Sequence, residues 1–319
     1  MLGFQEIAER GANADAPSSA TGKMAYSGLP PALSEVFPLL LAVGSDELSD
    51  AAIRVTSALA RGKGAIPTVI QALGPDRETE VTIAPFVGTM VEATLSLEFQ
   101  DERRAAVQKR VHAGAGEVLW RVEIDSGSPA IAIAELARQM RPGLIVMGLR
   151  QHGIVHRAVS GDLLRSVVRS TRLPILAVRP ELVGLPRKIV VAVDFGEASI
   201  DAARMARQLL ADGGEIHLLH VATDHSDAPV DPAADGEGPH ARLDRLAEEL
   251  SPSPGMTITT EVLGGDPVQS IEGCVTRMHA DLVAVGSDHN TPLERLLSGS
   301  VSTALAHTAR WSMLIVPGR

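Results

Sequence analysis

The amino-acid sequence consists of two related halves. A glycine and proline segment at residues 127–131 is matched by a similar one at residues 265–269. Two glycine positions and one apolar run follow in each half at the same separation: Gly148 with Gly286, Gly161 with Gly299, and residues 174–178 with 312–316. Repetition at this spacing predicts two similar folding units, each the size of an ordinary domain.

The repeats leave room for a leader and a short linker. We place repeat 1 at residues 34–180 and repeat 2 at residues 187–319, joined by residues 181–186. Residues 1–33 are rich in Ala, Ser, Gly and Pro and show no regular apolar pattern, so we expect a flexible leader. A length of 319 residues suits two domains.

Short apolar strands alternate with helical patterns in repeat 2. The strands are expected at residues 188–193, 215–221, 256–262, 282–285 and 313–316, with helices at 198–211, 268–279 and 300–308. Uninterrupted Val, Ile and Leu strands separated by helices are typical of a parallel sheet covered on both faces. The sequence therefore predicts two tandem, doubly wound α/β domains, each with a five-stranded parallel sheet. Residues 224–239 are the best candidate for a long polar loop.

Composition narrows the function classes. The longest apolar stretch, residues 36–43, is too short to span a membrane, and residues 1–6 do not resemble a secretory signal. A single cysteine excludes an internal disulfide framework, so we expect a cytoplasmic protein. The net charge of −10 and the 3% aromatic content argue against a nucleic-acid partner.

Glycines follow the predicted fourth strand where a parallel sheet binds ligands. Beyond the carboxyl ends of such strands, helix amino termini present unpaired N–H groups that suit phosphate. A glycine at Gly286 leaves room for close approach of a phosphate or ribose. Gly299 and Ser300 then open the last predicted helix, where backbone N–H groups and a hydroxyl can face an anion.

These residues resemble the universal stress protein family, whose nucleotide-binding members carry Gly-x2-Gly-x9-Gly-[Ser/Thr] after the fourth strand. The opening strand at residues 189–194, the second strand at 218–221 and residues 280–286 before the motif support the resemblance. It covers both repeats. The resemblance implies a Rossmann-like, adenine-nucleotide α-hydrolase-like fold and a regulatory stress-response protein that binds ATP, with or without Mg²⁺.

The resemblance also assigns roles in repeat 2. It implies that Asp194 lines the adenosine side of the pocket and that the backbone at Val221 faces adenine. His289 stands where the family has its second glycine, so it either fills the phosphate space or contacts a phosphate as a cation. The implied nucleotide site comprises Asp194, Val221, Gly286, His289, Gly299 and Ser300.

Repeat 1 departs further from the motif. Gln151 replaces the second glycine, Asp162 replaces the hydroxyl residue, and Gly44 aligns with Asp194. A carboxylate facing a phosphate is unfavourable without a cation, so we expect repeat 1 to have lost this mode of ATP binding. Repeat 1 also has a basic loop after its fourth predicted strand, which contains Arg150, His152, His156 and Arg157. This loop is either a separate anion site or a solvated loop without a ligand.

Each motif residue also has a purely structural interpretation. Gly148 and Gly286 can serve as strand-to-loop turns, while Gly161 and Gly299 can allow tight packing where a helix begins. Ser300 can cap that helix without any ligand. A protein-interaction module that binds no nucleotide therefore remains an alternative.

The sequence offers weaker support for catalysis than for ligand binding. The chain contains no Gly-x-Ser-x-Gly, P-loop or His-Glu-x2-His motif. His217 and His220 are three apart on a predicted strand, so their side chains should face opposite ways and share no metal. Cys274, between apolar helix positions, is interpreted as a buried and inert thiol. A slow ATPase or phosphotransferase in the same pocket stays open as an alternative to a binding protein.

The resemblance finally implies how the repeats associate. Family members commonly pair through their last strands, here residues 174–178 and 312–316, whose apolar edges would otherwise be exposed. We expect an internal pseudodimer, with a further homodimer and an unidentified protein partner as additional possibilities.

Overall fold

The computed structural model describes residues 38–44, 49–72, 89–149, 159–222, 237–250, 254–287 and 311–318. The predicted leader and most of the predicted polar loop lie outside these ranges. In the described part of repeat 1, five strands alternate with four helices: β1 (Pro38–Val43), α1 (Ser49–Lys63), β2 (Ile66–Ala72), α2 (Thr89–Ala115), β3 (Arg121–Asp125), α3 (Pro129–Met140), β4 (Leu144–Gly148), α4 (Val159–Ser170) and β5 (Ile175–Val178).

Repeat 2 follows the same order over its described residues. Its elements are β6 (Lys188–Ala192), α5 (Glu197–Leu209), β7 (Glu215–Ala222), α6 (Pro239–Glu249), β8 (Thr257–Gly264), α7 (Pro267–Met278), β9 (Leu282–Ser287) and β10 (Ser312–Pro317). The helix predicted at residues 300–308 lies outside the described ranges.

The ten strands of the described ranges belong to one sheet in the order β3-β2-β1-β4-β5-β10-β9-β6-β7-β8. Within each half the neighbouring strands are parallel, and both halves have the same internal order. The predicted doubly wound α/β class is therefore confirmed. Strands β5 and β10 pair antiparallel, with Leu176 opposite Leu314, so the last strands of the two repeats do meet.

The core consists of two layers, one on each face of the sheet. Buried side chains of α1, α2, α5 and α6 pack on one face, and those of α3, α4 and α7 pack on the other. Central strands such as β1 and β9 are buried on both faces, as their continuous apolar sequence predicts. None of the helices in the described ranges has the length and apolar character needed to cross a membrane.

Helices α3 and α7 show how closely the repeats match. Each begins with a proline at its first turn, and each ends at a left-handed residue, Arg141 with φ 47° and His279 with φ 50°. Asp266 caps α7, because its carboxylate accepts the N–H of Gln269 at 2.9 Å.

Several element ends differ from the prediction by one or two residues, and two of these differences concern the motif glycines. The sequence predicts that β9 ends at Val285, but the strand continues through Gly286 and Ser287, because Val316 and Pro317 of β10 extend the pairing. Gly286 is therefore a strand residue, so its interpretation as a strand-to-loop turn is wrong. Helix α4 begins at Val159, which makes Gly161 its third residue instead of its first.

Candidate functional site at the carboxyl edge of the sheet

The fold brings three of the predicted nucleotide-site residues to one edge of the repeat 2 sheet. The chain leaves β6 on one side to form β7 and later returns on the other side to form β9, so the strand order reverses between β6 and β9. Crevices at such reversals are where open α/β sheets bind ligands. Asp194 follows β6, Gly286 lies near the end of β9, and Val221 lies near the end of β7. His289, Gly299 and Ser300 lie outside the described residues.

The loop after β6 holds Asp194 at the rim of this crevice. Its carboxylate Oδ1 accepts the N–H of Gly196 at 2.9 Å, and its own N–H donates to Ser199 Oγ at 3.3 Å. The buried Ser199 hydroxyl donates in turn to the carbonyl of Gly196 at 3.0 Å. Asp194 itself is exposed. The loop thus orients a carboxylate while keeping it in contact with solvent.

Phe195 shapes the same loop, and sequence reasoning did not single it out. It adopts φ 63°, a left-handed conformation that is unusual for an aromatic residue. Its ring lies 4.6 Å from the His220 ring, and the Arg242 guanidinium carbon lies 4.0 Å from its centroid. His220 Nδ1 donates to the carbonyl of Val193 at 2.7 Å. These contacts tie the loop to β7 and α6.

Gly286 has a packing role that neither sequence interpretation included. A Cβ atom at this position would lie 2.5 Å from the backbone nitrogen of Ser199 and 2.7 Å from the carbonyl carbon of Ala198. Real Cβ atoms do not approach backbone atoms so closely. The start of α5 therefore packs directly on β9, and only glycine allows that approach.

Replacing Gly286 with alanine is expected to reduce the free energy of unfolding by about 1–3 kcal/mol, since the added methyl group meets backbone atoms. Urea unfolding measures this value. Gly273→Ala in α7 is the matched control, because a methyl group there would meet nothing within 4 Å among the described residues. For this control we expect a gain of about 0.5–1 kcal/mol from helix propensity. Equal stabilities for both variants would contradict the packing role of Gly286.

The corresponding edge of repeat 1 is chemically different. The carbonyl of Gly44 accepts hydrogen bonds from Arg110 at 2.9 Å and from Gln71 at 3.2 Å. Arg110 also pairs with Asp50 at 2.9 Å, and the N–H of Gly44 donates to Ser49 Oγ at 2.8 Å. A side-chain network anchored by a cation thus occupies the strand end where repeat 2 presents Asp194. The predicted basic loop residues and Gln151 lie outside the described residues.

A second polar cluster lies on the opposite face of the repeat 2 sheet. His217 faces α7, whereas His220 contacts Val193 and Phe195, so the two histidines face opposite ways as predicted. His217 Nδ1 lies 2.8 Å from Thr259 Oγ1, and its Nε2 lies 2.9 Å from Glu261 Oε2.

Cys274 belongs to this cluster. Its predicted burial is confirmed at 1% exposure, and its neighbours include polar side chains that the sequence pattern did not reveal. The thiol donates to Glu261 Oε2 at 3.9 Å, and Arg277 donates to Sγ at 3.7 Å. Arg277 follows Cys274 by one helical turn, a spacing that could have revealed this contact. Glu261 could not be placed without the register of β7 and β8.

The contacts within this cluster shift the pKa values of two side chains, Cys274 and Glu261. Burial raises the pKa of the Cys274 thiol above its ordinary value, and the Arg277 contact only partly offsets this. Burial also acts to raise the pKa of Glu261, but hydrogen bonds from His217 and Arg277 outweigh it and leave that pKa below its ordinary value. The cluster therefore combines a protonated thiol with an ionised carboxylate at neutral pH.

Comparison with known proteins agrees with this architecture. The sequence model of the universal stress protein family matches residues 37–179 and 186–317. A universal stress protein from Methanocaldococcus jannaschii is 28% identical over 144 residues, which span 41% of this chain and 82% of that protein.

Solved structures extend the likeness to both repeats. A universal stress protein structure from Archaeoglobus fulgidus covers 88% of this chain and 98% of its own, with a TM-score of 0.66 and 17% identity. A Pseudomonas aeruginosa structure described as a putative universal stress protein covers 90% of this chain and 95% of its own, with a TM-score of 0.57 and 15% identity. At these identities the structural likeness concerns the fold alone.

Proposed function

Because the chain belongs to the universal stress protein family, we propose that it is a regulatory stress-response protein whose C-terminal repeat binds an adenine nucleotide. The ligand is ATP, alone or with Mg²⁺. The proposed pocket lies beyond β6, β7 and β9 and includes Asp194, Val221 and Gly286, with His289, Gly299 and Ser300 from the sequence motif.

The position of Asp194 carries this proposal. Its exposed carboxylate follows β6, and the strand order reverses between β6 and β9, which is where a doubly wound sheet binds its ligand. The bond from the Gly196 N–H orients the carboxylate before any ligand arrives. An oriented carboxylate at this place suits the hydroxyl groups of a ribose, and the neighbouring end of β7 offers backbone groups to a base.

The contrast between the repeats supports placing the site in repeat 2. At the aligned strand end of repeat 1, Arg110 and Gln71 both donate to the carbonyl of Gly44. A ligand there would have to displace these bonds and would meet no carboxylate from the first strand. We therefore propose one nucleotide per chain.

Calorimetric titration with ATP and Mg²⁺ tests the proposal. Asp194→Ala is expected to weaken binding about tenfold, because a hydrogen bond to a charged group contributes about 1.5–3 kcal/mol and part of it is replaced by water. Asp212→Ala is the matched control, since this exposed aspartate lies in the turn before β7 at the opposite edge of the sheet. Equal affinity in the Asp194 variant and the wild type would overturn the site.

A binding protein and an enzyme differ in turnover. We expect no phosphate release above that of a heat-treated sample when the protein is incubated with ATP and Mg²⁺ for hours. Release that scales with protein concentration and disappears in Asp194→Ala would instead establish a slow ATPase.

A further inference from the structure

The cluster on the α7 face has the composition of a transition-metal site. His217 of β7, Glu261 of β8 and Cys274 of α7 each contribute one ligand atom, and these atoms lie within 4.8 Å of one another. We propose that His217, Glu261 and Cys274 bind a divalent transition-metal ion in the C-terminal repeat. Their ligand atoms are of the kinds that Zn²⁺ prefers.

The spacing of the ligand atoms fits such an ion. Zn²⁺ binds nitrogen and oxygen at about 2.0–2.2 Å and sulfur at about 2.3 Å, so tetrahedral ligand atoms lie roughly 3.3–3.7 Å apart. Here His217 Nε2 and Glu261 Oε2 are 2.9 Å apart, and Cys274 Sγ and Glu261 Oε2 are 3.9 Å apart. One distance opens and the other closes by a few tenths of an ångström. The third pair, the His217 nitrogen and Cys274 Sγ, lies within 4.8 Å and closes by up to about 1 Å, through rotation of the two side chains.

Thr259 orients the histidine. Its Oγ1 lies 2.8 Å from His217 Nδ1, in register directly opposite it on the neighbouring strand. In the metal-bound form Nδ1 carries the imidazole proton and donates it to Thr259, which leaves the Nε2 lone pair for the metal. Metal-bound histidines usually have a hydrogen-bond partner of this kind on their other nitrogen.

The charges balance once the ion is bound. A thiolate, a carboxylate and a neutral imidazole neutralise a divalent cation, and the Cys274 proton leaves to solvent as the S–metal bond forms. Before the ion enters, Arg277 provides the positive charge, because it donates to Glu261 Oε2 and to Cys274 Sγ. Its side chain is 55% exposed, so it can move into solvent when the ion binds.

The donor set selects the class of ion. Thiolate and imidazole favour Zn²⁺ and similar ions over Mg²⁺ and Ca²⁺, which prefer oxygen ligands. Three protein ligands leave the fourth position of a tetrahedral ion for water.

Repeat 1 lacks this set at the equivalent positions. By strand register and repeat alignment, Thr68 replaces His217 and Leu136 replaces Cys274, while Glu123 corresponds to Glu261. Glu123 instead pairs with Arg121 at 2.5 Å. The proposed site is therefore specific to repeat 2.

Cobalt provides the test, because a Co²⁺–thiolate bond gives a near-ultraviolet charge-transfer band. The full chain has one cysteine, so this band reports Cys274 alone. We expect the chelator-treated protein to bind one Co²⁺ with this band and Zn²⁺ to displace it. Cys274→Ser should lose the band, and Thr259→Val should weaken Co²⁺ binding about 10–100-fold. Absence of the band in the wild type at excess Co²⁺ would overturn the proposal.

Two variants complete the test. Glu261→Gln is expected to weaken Co²⁺ binding at least tenfold, whereas the repeat 1 control Glu123→Gln leaves it unchanged; equal effects of the two would refute the site. Arg277→Gln, an exposed change that leaves the core intact, should strengthen binding several-fold because it removes a competing cation. Weaker binding in Arg277→Gln would also count against the proposal.

Discussion

Replacing Gly299 with glutamate is expected to lower the affinity of the C-terminal repeat for Mg²⁺-ATP at least about 100-fold. The sequence places Gly299 at the start of the last predicted helix, where the family resemblance puts the phosphate groups. Two like charges 4 Å apart repel by about 4 kcal/mol at the effective dielectric constant near a protein surface. Screening by Mg²⁺ and salt reduces this repulsion energy, and the repulsion that remains still lowers the affinity by roughly two powers of ten.

The matched control for this variant is Gly161→Glu. Gly161 aligns with Gly299 and is the third residue of α4, a helical position that accepts glutamate well. Repeat 1 carries Gln151 and Asp162 in its motif, so we expect its variant to keep the wild-type affinity. Calorimetric titration compares the two proteins, with circular dichroism confirming that both are folded. Undiminished binding in Gly299→Glu would remove the glycine from the site.

Replacing Leu314 with alanine is expected to reduce the free energy of unfolding by about 2–5 kcal/mol. Leu314 of β10 is fully buried and lies opposite Leu176 of β5, which is also fully buried, at the antiparallel junction of the two repeats. The truncation removes apolar contacts from both halves and leaves a cavity between them. Leu119→Ala is the control, since Leu119 is 91% exposed and its removal should change stability by less than about 0.5 kcal/mol.

The same variant tests whether the junction couples the repeats. The two tryptophans are Trp120, beside β3, and Trp311, beside β10, so each reports on a different half. In proteins that retain one tryptophan at a time, Leu314→Ala should lower the urea midpoint seen by either probe. A shift confined to Trp311 would show that repeat 1 unfolds independently of the junction.

Much of the architecture could be predicted because it depends on local patterns. Alternation of short Val, Ile and Leu strands with helices is visible in the chain, and the matching of residues 127–131 with 265–269 makes the second half a copy of the first. Right-handed crossovers between parallel strands then leave few possible strand orders. The junction of β5 and β10 followed from family resemblance, and the antiparallel pairing confirms it.

The candidate nucleotide site was predictable in part. The family resemblance implied roles for Asp194 and Gly286, and the structure brings both to one edge of the sheet, because the carboxyl ends of parallel strands share an edge. The reason for glycine at Gly286 was not predictable in the same way. It depends on Ser199, which is distant in sequence and reaches β9 only when α5 packs on the sheet.

Cys274 shows most clearly the difference between what the sequence predicts and what the packing of the elements decides. Its burial follows from the apolar helical pattern around it. The sequence alone likewise determined the repeat and the fold class. Its polar neighbours His217 and Glu261 come from two other strands, and their approach depends on the register of β7 and β8 and on how α7 packs across them. Local patterns specify which residues form each element, but contacts between elements are set by packing, and there the tertiary structure was needed.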